Sequence, residues 1–244
     1  MFEVLPALAP DPILGLSAAF RADPNPKKID LGVGVYKDEQ GNTPIVGAVA
    51  QAQLRLLETE TSKTYITPQG VQGYIDGMLE LLLGKGNQAV LGNRVAAVQA
   101  PGGCGALRIL AELLKRCNDN AKVWVSDPTW ANHIPLIGNA GLELATYPYF
   151  DKNTASIKFD EMLATLKTIP KGDVVLLHAC CHNPTGADLT QAQWRQVAEV
   201  AQQQGWLPFI DSAYLGFGDD LETDAYGMRL MVESVPEVII AASC

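Results

Sequence analysis

Short apolar runs of strand length alternate with amphipathic stretches of helix length along most of this chain, and that alternation leaves few folds open. Runs at 122–125, 143–146, 174–177, 207–210 and 238–242 have the length and composition of buried strands, and a further strand is expected at 94–99. Stretches of helical character are expected at 47–58, 68–83, 105–117, 160–167 and 191–204. Strands that are apolar on both faces need cover on both faces, and a helix between successive strands is the crossover that parallel pairing requires. The expected fold is therefore α/β, a mostly parallel sheet in an α/β/α sandwich. The run at 238–242 is buried in character yet no crossover helix follows it, so the sheet is expected to be incomplete at the C-terminus. Residues 1–45, rich in Pro, Gly and Asp, read as an N-terminal arm, and 46–244 as the main domain.

Composition narrows the function. With 244 residues, 48% hydrophobic and 18% charged, the chain can bury a large core. A net charge of -9 and the lack of any basic cluster argue against nucleic acid or an anionic membrane surface as partner. No apolar run approaches the roughly 20 residues that span a bilayer. The first 20 residues lack the basic start and unbroken apolar core of a secretion signal, so a cytoplasmic location is expected. Five cysteines without a framework spacing read as reduced thiols. Adjacent Cys180 and Cys181 cannot easily share one ion, and no second Cys/His pair stands at a usable spacing, so no metal is expected.

The chemistry-bearing residues stand where the expected strands end. His178-Ala179-Cys180-Cys181-His182-Asn183-Pro184-Thr185-Gly186 follows one buried run, and Asp211-Ser212-Ala213-Tyr214 follows the next, so their polar side chains should meet at one rim of the sheet. A carboxylate at the end of a buried strand is costly unless it meets a cation or donors. A pyridoxal phosphate ring presents such a cation at its pyridine nitrogen and needs hydrogen-bond donors at its phenolate oxygen. Asp211 suits the first need, Asn183 and Tyr214 the second; a helix N-cap is the alternative for Asp211. Pro101-Gly102-Gly103-Cys104-Gly105 lies between strand and helix and can form an anion site from freed backbone amides. A phosphate, a dinucleotide or a plain tight turn are the readings for it, and the third glycine of G-x-G-x-x-G is missing. Trp130 after Asp127-Pro128 is either a core ring capping the sheet or a ring on a cofactor.

These segments, with Leu31-Gly32-Val33-Gly34-Val35-Tyr36, Tyr65 to Gly70, Ser126 to Trp130 and Ala241-Ala242-Ser243, resemble the class I aminotransferases, in the aspartate and aromatic amino acid branch, over the whole chain. The resemblance implies the pyridoxal-phosphate fold type I, with residues 1–45 partly in a smaller domain. It places the cofactor against Gly102, Gly103, Cys104, Trp130, Asn183, Asp211, Tyr214 and Ser243. It makes His133 the histidine that hydrogen-bonds Asp211. Gly34, Trp130 and Asn183 become substrate contacts, and Tyr65 a contact to the phosphate of a second subunit, which makes a homodimer part of the site. Where Cys104 stands the family often has serine or threonine, so one hydroxyl donor is replaced by a thiol.

The implied reaction moves an amino group between an amino acid, aspartate or aromatic, and a 2-oxo acid. In this family a lysine that forms a Schiff base with the cofactor follows a segment like Ala242-Ser243-Cys244, and the last lysine here is Lys171. The chain is accordingly expected to be an N-terminal fragment, inactive alone, with no catalytic residue present. An inert remnant of the fold and a pyridoxal-phosphate lyase on the same scaffold are the alternatives.

Overall fold

The computed structural model of the protein describes residues 2–4, 12–29 and 36–244. The chain divides into two compact units, 1–64 and 65–244. The expected arm of 1–45 lies in the first, together with helix α1 (Pro12–Ala22), which its Pro- and Gly-rich sequence did not suggest, and α2 (Gly47–Thr59). None of the α2 residues is buried.

The second unit opens with α3 (Gln72–Leu83), α4 (Gln88–Leu91) and α5 (Gly102–Cys117), then β1 (Lys122–Asp127), α6 (His133–Gly138) and β2 (Glu143–Pro148). A two-stranded hairpin of β3 (Phe150–Asp151) and β4 (Ser156–Ile157) leads to α7 (Phe159–Leu166) and β5 (Val174–His178). The chain continues through α8 (Gln191–Gln204), β6 (Leu207–Ser212), α9 (Leu221–Ser234) and β7 (Ile239–Ala242). The five long strands form one parallel sheet in the order β2-β1-β5-β6-β7.

Alternation along the strands builds a core on each face. Val123 and Val125 of β1, Leu176 of β5 and Phe209 of β6 join Leu107, Ala111 and Leu114 of α5 and Ile137 of α6. On the other face Val175, Leu177 and Ile210 meet Met162 and Leu166 of α7, Trp194 and Val197 of α8, and Met228 and Met231 of α9. Each such Val, Leu, Ile, Phe or Met side chain, fully buried, stabilises the fold by roughly 1.5–3 kcal/mol. This is the α/β/α sandwich that the sequence implies. The expected strand at 94–99 is absent: these residues pair with no strand among those described, and Val98 is left 57% exposed.

Local chemistry sets both ends of α8. Thr190 accepts from the Gln193 N–H, and the Gln193 side chain accepts from the Thr190 N–H, a capping box that starts α8. Gly205 closes that helix at φ +75°, a conformation costly to a residue with Cβ. Among the described residues no helix is long and apolar enough to cross a membrane.

Candidate active site

Parallel register brings the C-terminal ends of β5, β6 and β7 side by side, with His178 opposite Asp211 and Asp211 opposite Ala241. His178 and Asp211 share the strand parity of Leu176 and Phe209, so they face the side covered by α5 and α6. A cavity opens there, at the strand ends where open α/β sheets take ligands. Gly103, Cys104, Trp130, Asn183, Asp211, Tyr214 and Ser243, all expected at the site from the sequence, line it; His178, Cys180, Leu107 and Ala213 complete the lining.

At one end stands the start of α5. Gly102 takes φ +69°, and a Cβ on Gly105 would come within 2.8 Å of the Pro101 ring, so this turn needs its glycines. No side chain caps the helix, which leaves first-turn amides for an anion. Ser243 stands next to Gly103: a Cβ on Gly103 would lie 3.5 Å from the Ser243 hydroxyl. The Ser243 N–H donates to the Ser212 carbonyl at 3.1 Å, which fixes the residue just past β7. Cys104 is exposed and contributes a thiol, a weaker donor than a hydroxyl.

At the other end Asp211, 8% exposed, sits against a fully buried His133. A carboxylate only accepts, so the His133 Nε2–H donates to Asp211 Oδ2 at 2.9 Å. His133 Nδ1 then accepts from the Thr129 hydroxyl at 2.8 Å, and Thr129 Oγ1 accepts a longer bond from His178 Nε2 at 3.4 Å. The Asn183 N–H points at His178 Nδ1 at 3.5 Å. The tautomers of both rings follow from this one direction of donation. Asp211 Oδ1 has no protein partner among the described residues and belongs to the cavity lining.

Burial, then the neighbouring His182 and His133, pushes the His178 imidazole well below its ordinary range, so this ring stays neutral. His182, 2% exposed, is held down to about 4, mainly by burial. The three histidines of the chain all converge here: His133 and His178 lie 5.1 Å apart by ring centre, His178 and His182 4.2 Å. Thr129, His178 and His182 had no role assigned from sequence. The available signal was parity: His178 stands two residues past Leu176, on the same face as Asp211.

Two expected contacts lie elsewhere. Tyr65 is fully exposed and does not line the cavity. Gly34 lies outside the described residues. Cys180, Cys181 and Asp224 bring ligand atoms within 4.8 Å of one another. Both Asp224 oxygens already accept backbone N–H groups, from Gly216, Gly218 and Asp219, and burial raises both thiols. That carboxylate organises the loop after Tyr214.

A doubly covered parallel sheet thus opens at its strand ends into a cavity lined by an uncapped, glycine-rich helix start, a buried carboxylate and a large ring. The sequence carries the family signature that goes with such a site: residues 26–244 match the model for aminotransferase class I and II, and the chain belongs to that family. It is 52% identical over 236 residues to an aromatic-amino-acid aminotransferase of Paracoccus denitrificans, covering 97% of this chain and 59% of that protein. An aspartate aminotransferase of Salmonella typhi is 46% identical over 243 residues, covering 100% of this chain and 61% of its own length. A crystal structure of an aromatic-amino-acid aminotransferase from Burkholderia pseudomallei, covalently bound to pyridoxal phosphate, superposes with a TM-score of 0.96 at 44% identity, covering 100% of this chain and 61% of that one. The chain thus spans about three fifths of the length of these relatives.

Proposed function

We propose that this chain forms the cofactor-binding part of a pyridoxal-phosphate-dependent aminotransferase, acting on aspartate or aromatic amino acids and 2-oxo acids. The observation that carries the reading is Asp211: a buried carboxylate, oriented by His133, with its second oxygen left to the cavity. Such a group is costly unless a cation meets it, and a protonated pyridine nitrogen is that cation. The donor set fits the rest of the cofactor. Amides of Gly103 and Cys104 with the Ser243 hydroxyl would hold the phosphate, Trp130 would lie on the ring, and Asn183 and Tyr214 would donate to its oxygen. When bound, pyridoxal phosphate supplies an aldehyde that takes up the amino group and a ring that accepts electrons from the substrate α-carbon.

The residues of this chain bind and orient. Asp211 keeps the ring nitrogen protonated, and His133, donating to Asp211, keeps that carboxylate aimed. A second copy of the chain is the partner, with Tyr65 reaching the phosphate of the neighbouring site; its full exposure leaves it available for that contact.

Titration of the chain with pyridoxal phosphate, followed by tryptophan fluorescence and visible absorbance, tests the reading. Asp211→Ala removes a charged hydrogen-bond partner and is expected to weaken binding at least about tenfold. No lysine lines the cavity among the described residues, so the complex is expected to resist trapping by borohydride. Equal binding by wild type and Asp211→Ala would remove the basis of the proposal.

A further inference from the structure

The loop between β5 and α8 carries Asn183 to the cavity, and one buried ring organises it. His182 bonds through both nitrogens to hydroxyls of different elements: Nδ1 pairs with Thr185 Oγ1 at 2.8 Å and Nε2 with Ser126 Oγ, near the end of β1, at 2.9 Å. The ring stacks on Tyr149 at 4.0 Å and 15°. The Tyr149 hydroxyl in turn donates to the Ala187 carbonyl at 2.6 Å, on the far side of the same loop. The His182 N–H donates to Asp188 Oδ1 at 2.8 Å and the Cys181 N–H to Asp188 Oδ2 at 2.6 Å. The His182 carbonyl accepts from the Gly186 N–H at 2.7 Å. Thr185 Oγ1 also accepts from the Ala187 N–H at 3.2 Å, and a neutral imidazole donates from one nitrogen and accepts at the other, so both hydroxyl bonds are satisfied at once. Bulk alone would be served by phenylalanine. Two opposed hydrogen bonds on a stacked ring fix an orientation, and the next residue in the chain is Asn183.

We infer that His182 is a positioning residue: by tying the end of β1 to its own loop, it holds the adjacent Asn183 amide at the end of the cavity where the cofactor's ring oxygen would lie. The inference rests on the cofactor reading above. A side chain that must donate to one ligand atom gains from support of this kind, because a displacement of about 1 Å is enough to lose the bond.

The test is a double-mutant cycle read by ligand affinity. Wild type, His182→Phe, Asn183→Ala and the double variant are titrated with pyridoxal phosphate and with 3-deoxypyridoxal phosphate, which lacks the ring oxygen, following tryptophan fluorescence. His182→Phe keeps the stacked ring and loses both hydrogen bonds. It is expected to weaken pyridoxal phosphate binding about tenfold, the scale of one lost hydrogen bond, to leave the deoxy analogue nearly unchanged, and to add nothing in the Asn183→Ala background. Ser126→Ala removes a single partner and covers the case in which the phenylalanine variant does not fold; its expected loss is about threefold, on pyridoxal phosphate alone. Equal losses on both ligands, an unchanged affinity, or additive losses overturn the positioning role. A wild type that binds both ligands equally also overturns it while leaving the cofactor reading intact, whereas a wild type that binds neither overturns both.

Discussion

The buried imidazoles of His178 and His182, both held below their ordinary range, make the site sensitive to acid, and His182 shows the sign of the effect. Unfolded, its ring titrates near the ordinary 6.5; folded, burial holds it down to about 4, with His133 and His178 facing it and the Asp188 carboxylate spent on its backbone N–H. As pH falls the unfolded chain binds this proton first, so the stability is complete above pH 6.5 and is lost as pH falls from 6.5 towards 4. By pH 4.5 the loss from this ring alone reaches roughly 2–3 kcal/mol. Urea unfolding at pH 7.5 and 4.5 should show wild type losing more than His182→Phe by roughly that amount. Equal losses in the two proteins would contradict the neutral buried ring. The sequence pointed to the residues that line the cavity and, through the family resemblance, to His133 behind Asp211, but not to Thr129, His178 or His182. Asp211 and Asn183 were legible because each follows a buried strand, whereas Ser243 was expected only from the family resemblance. For His178 strand parity gave its face but not its partner, because the Thr129–His178 hydrogen bond spans 49 residues of chain.

Elements were legible where periodicity was strong and hidden where packing overrode it. Helix α8 carries its own start signal in Thr190 and Gln193 and was found at its observed bounds. Helix α9 was missed: Gly227 interrupts its sequence and its apolar residues form no clear stripe. The structure gives the reason for that glycine. A Cβ at 227 would fall 2.1 Å from the Trp194 indole of α8, so α9 approaches α8 only because position 227 has no side chain. Trp194 is 4% exposed and has no room to retreat. Gly227→Ala is therefore expected to lower stability by about 3 kcal/mol, against the gain of up to 1 kcal/mol that alanine gives in an open helix. Thermal or denaturant unfolding checks this, and a stabilised variant would show that the helices can part. Thr190→Ala should cost about 1 kcal/mol in the same assay by removing the capping box, with Thr190→Ser restoring most of it. The segment at 94–99 failed in the opposite way: its apolar residues suit a strand, but a strand exists only when another pairs with it.

At the scale of the molecule, α2 contrasts with the long helices of the 65–244 unit, each of which buries part of its surface. None of its residues is buried, yet Val49, Leu54, Leu56 and Leu57 are apolar, and Leu57 is 81% exposed. Ile45 and Val46 just before it are also more than 60% exposed. Scattered exposed leucines are ordinary, but a helix this apolar with no buried residue stays in water only at a cost that association would remove. A second copy is the occupant that the proposed function requires, since Tyr65 begins six residues after α2 ends and would reach a site other than its own. The chain is therefore expected to self-associate, with a sedimentation coefficient that rises with concentration. Burying one leucine side chain is worth roughly 1.5–3 kcal/mol. Leu54→Glu with Leu57→Glu should therefore weaken association by a factor of at least about 100. The charges lie outside the unit that holds the cavity, so the same variant is expected to keep the affinity of wild-type monomer for pyridoxal phosphate under dilute conditions. A wild type that remains monomeric at high concentration would show that α2 is covered by something other than a second copy. An unchanged association in the double variant would place the dimer contact on another surface.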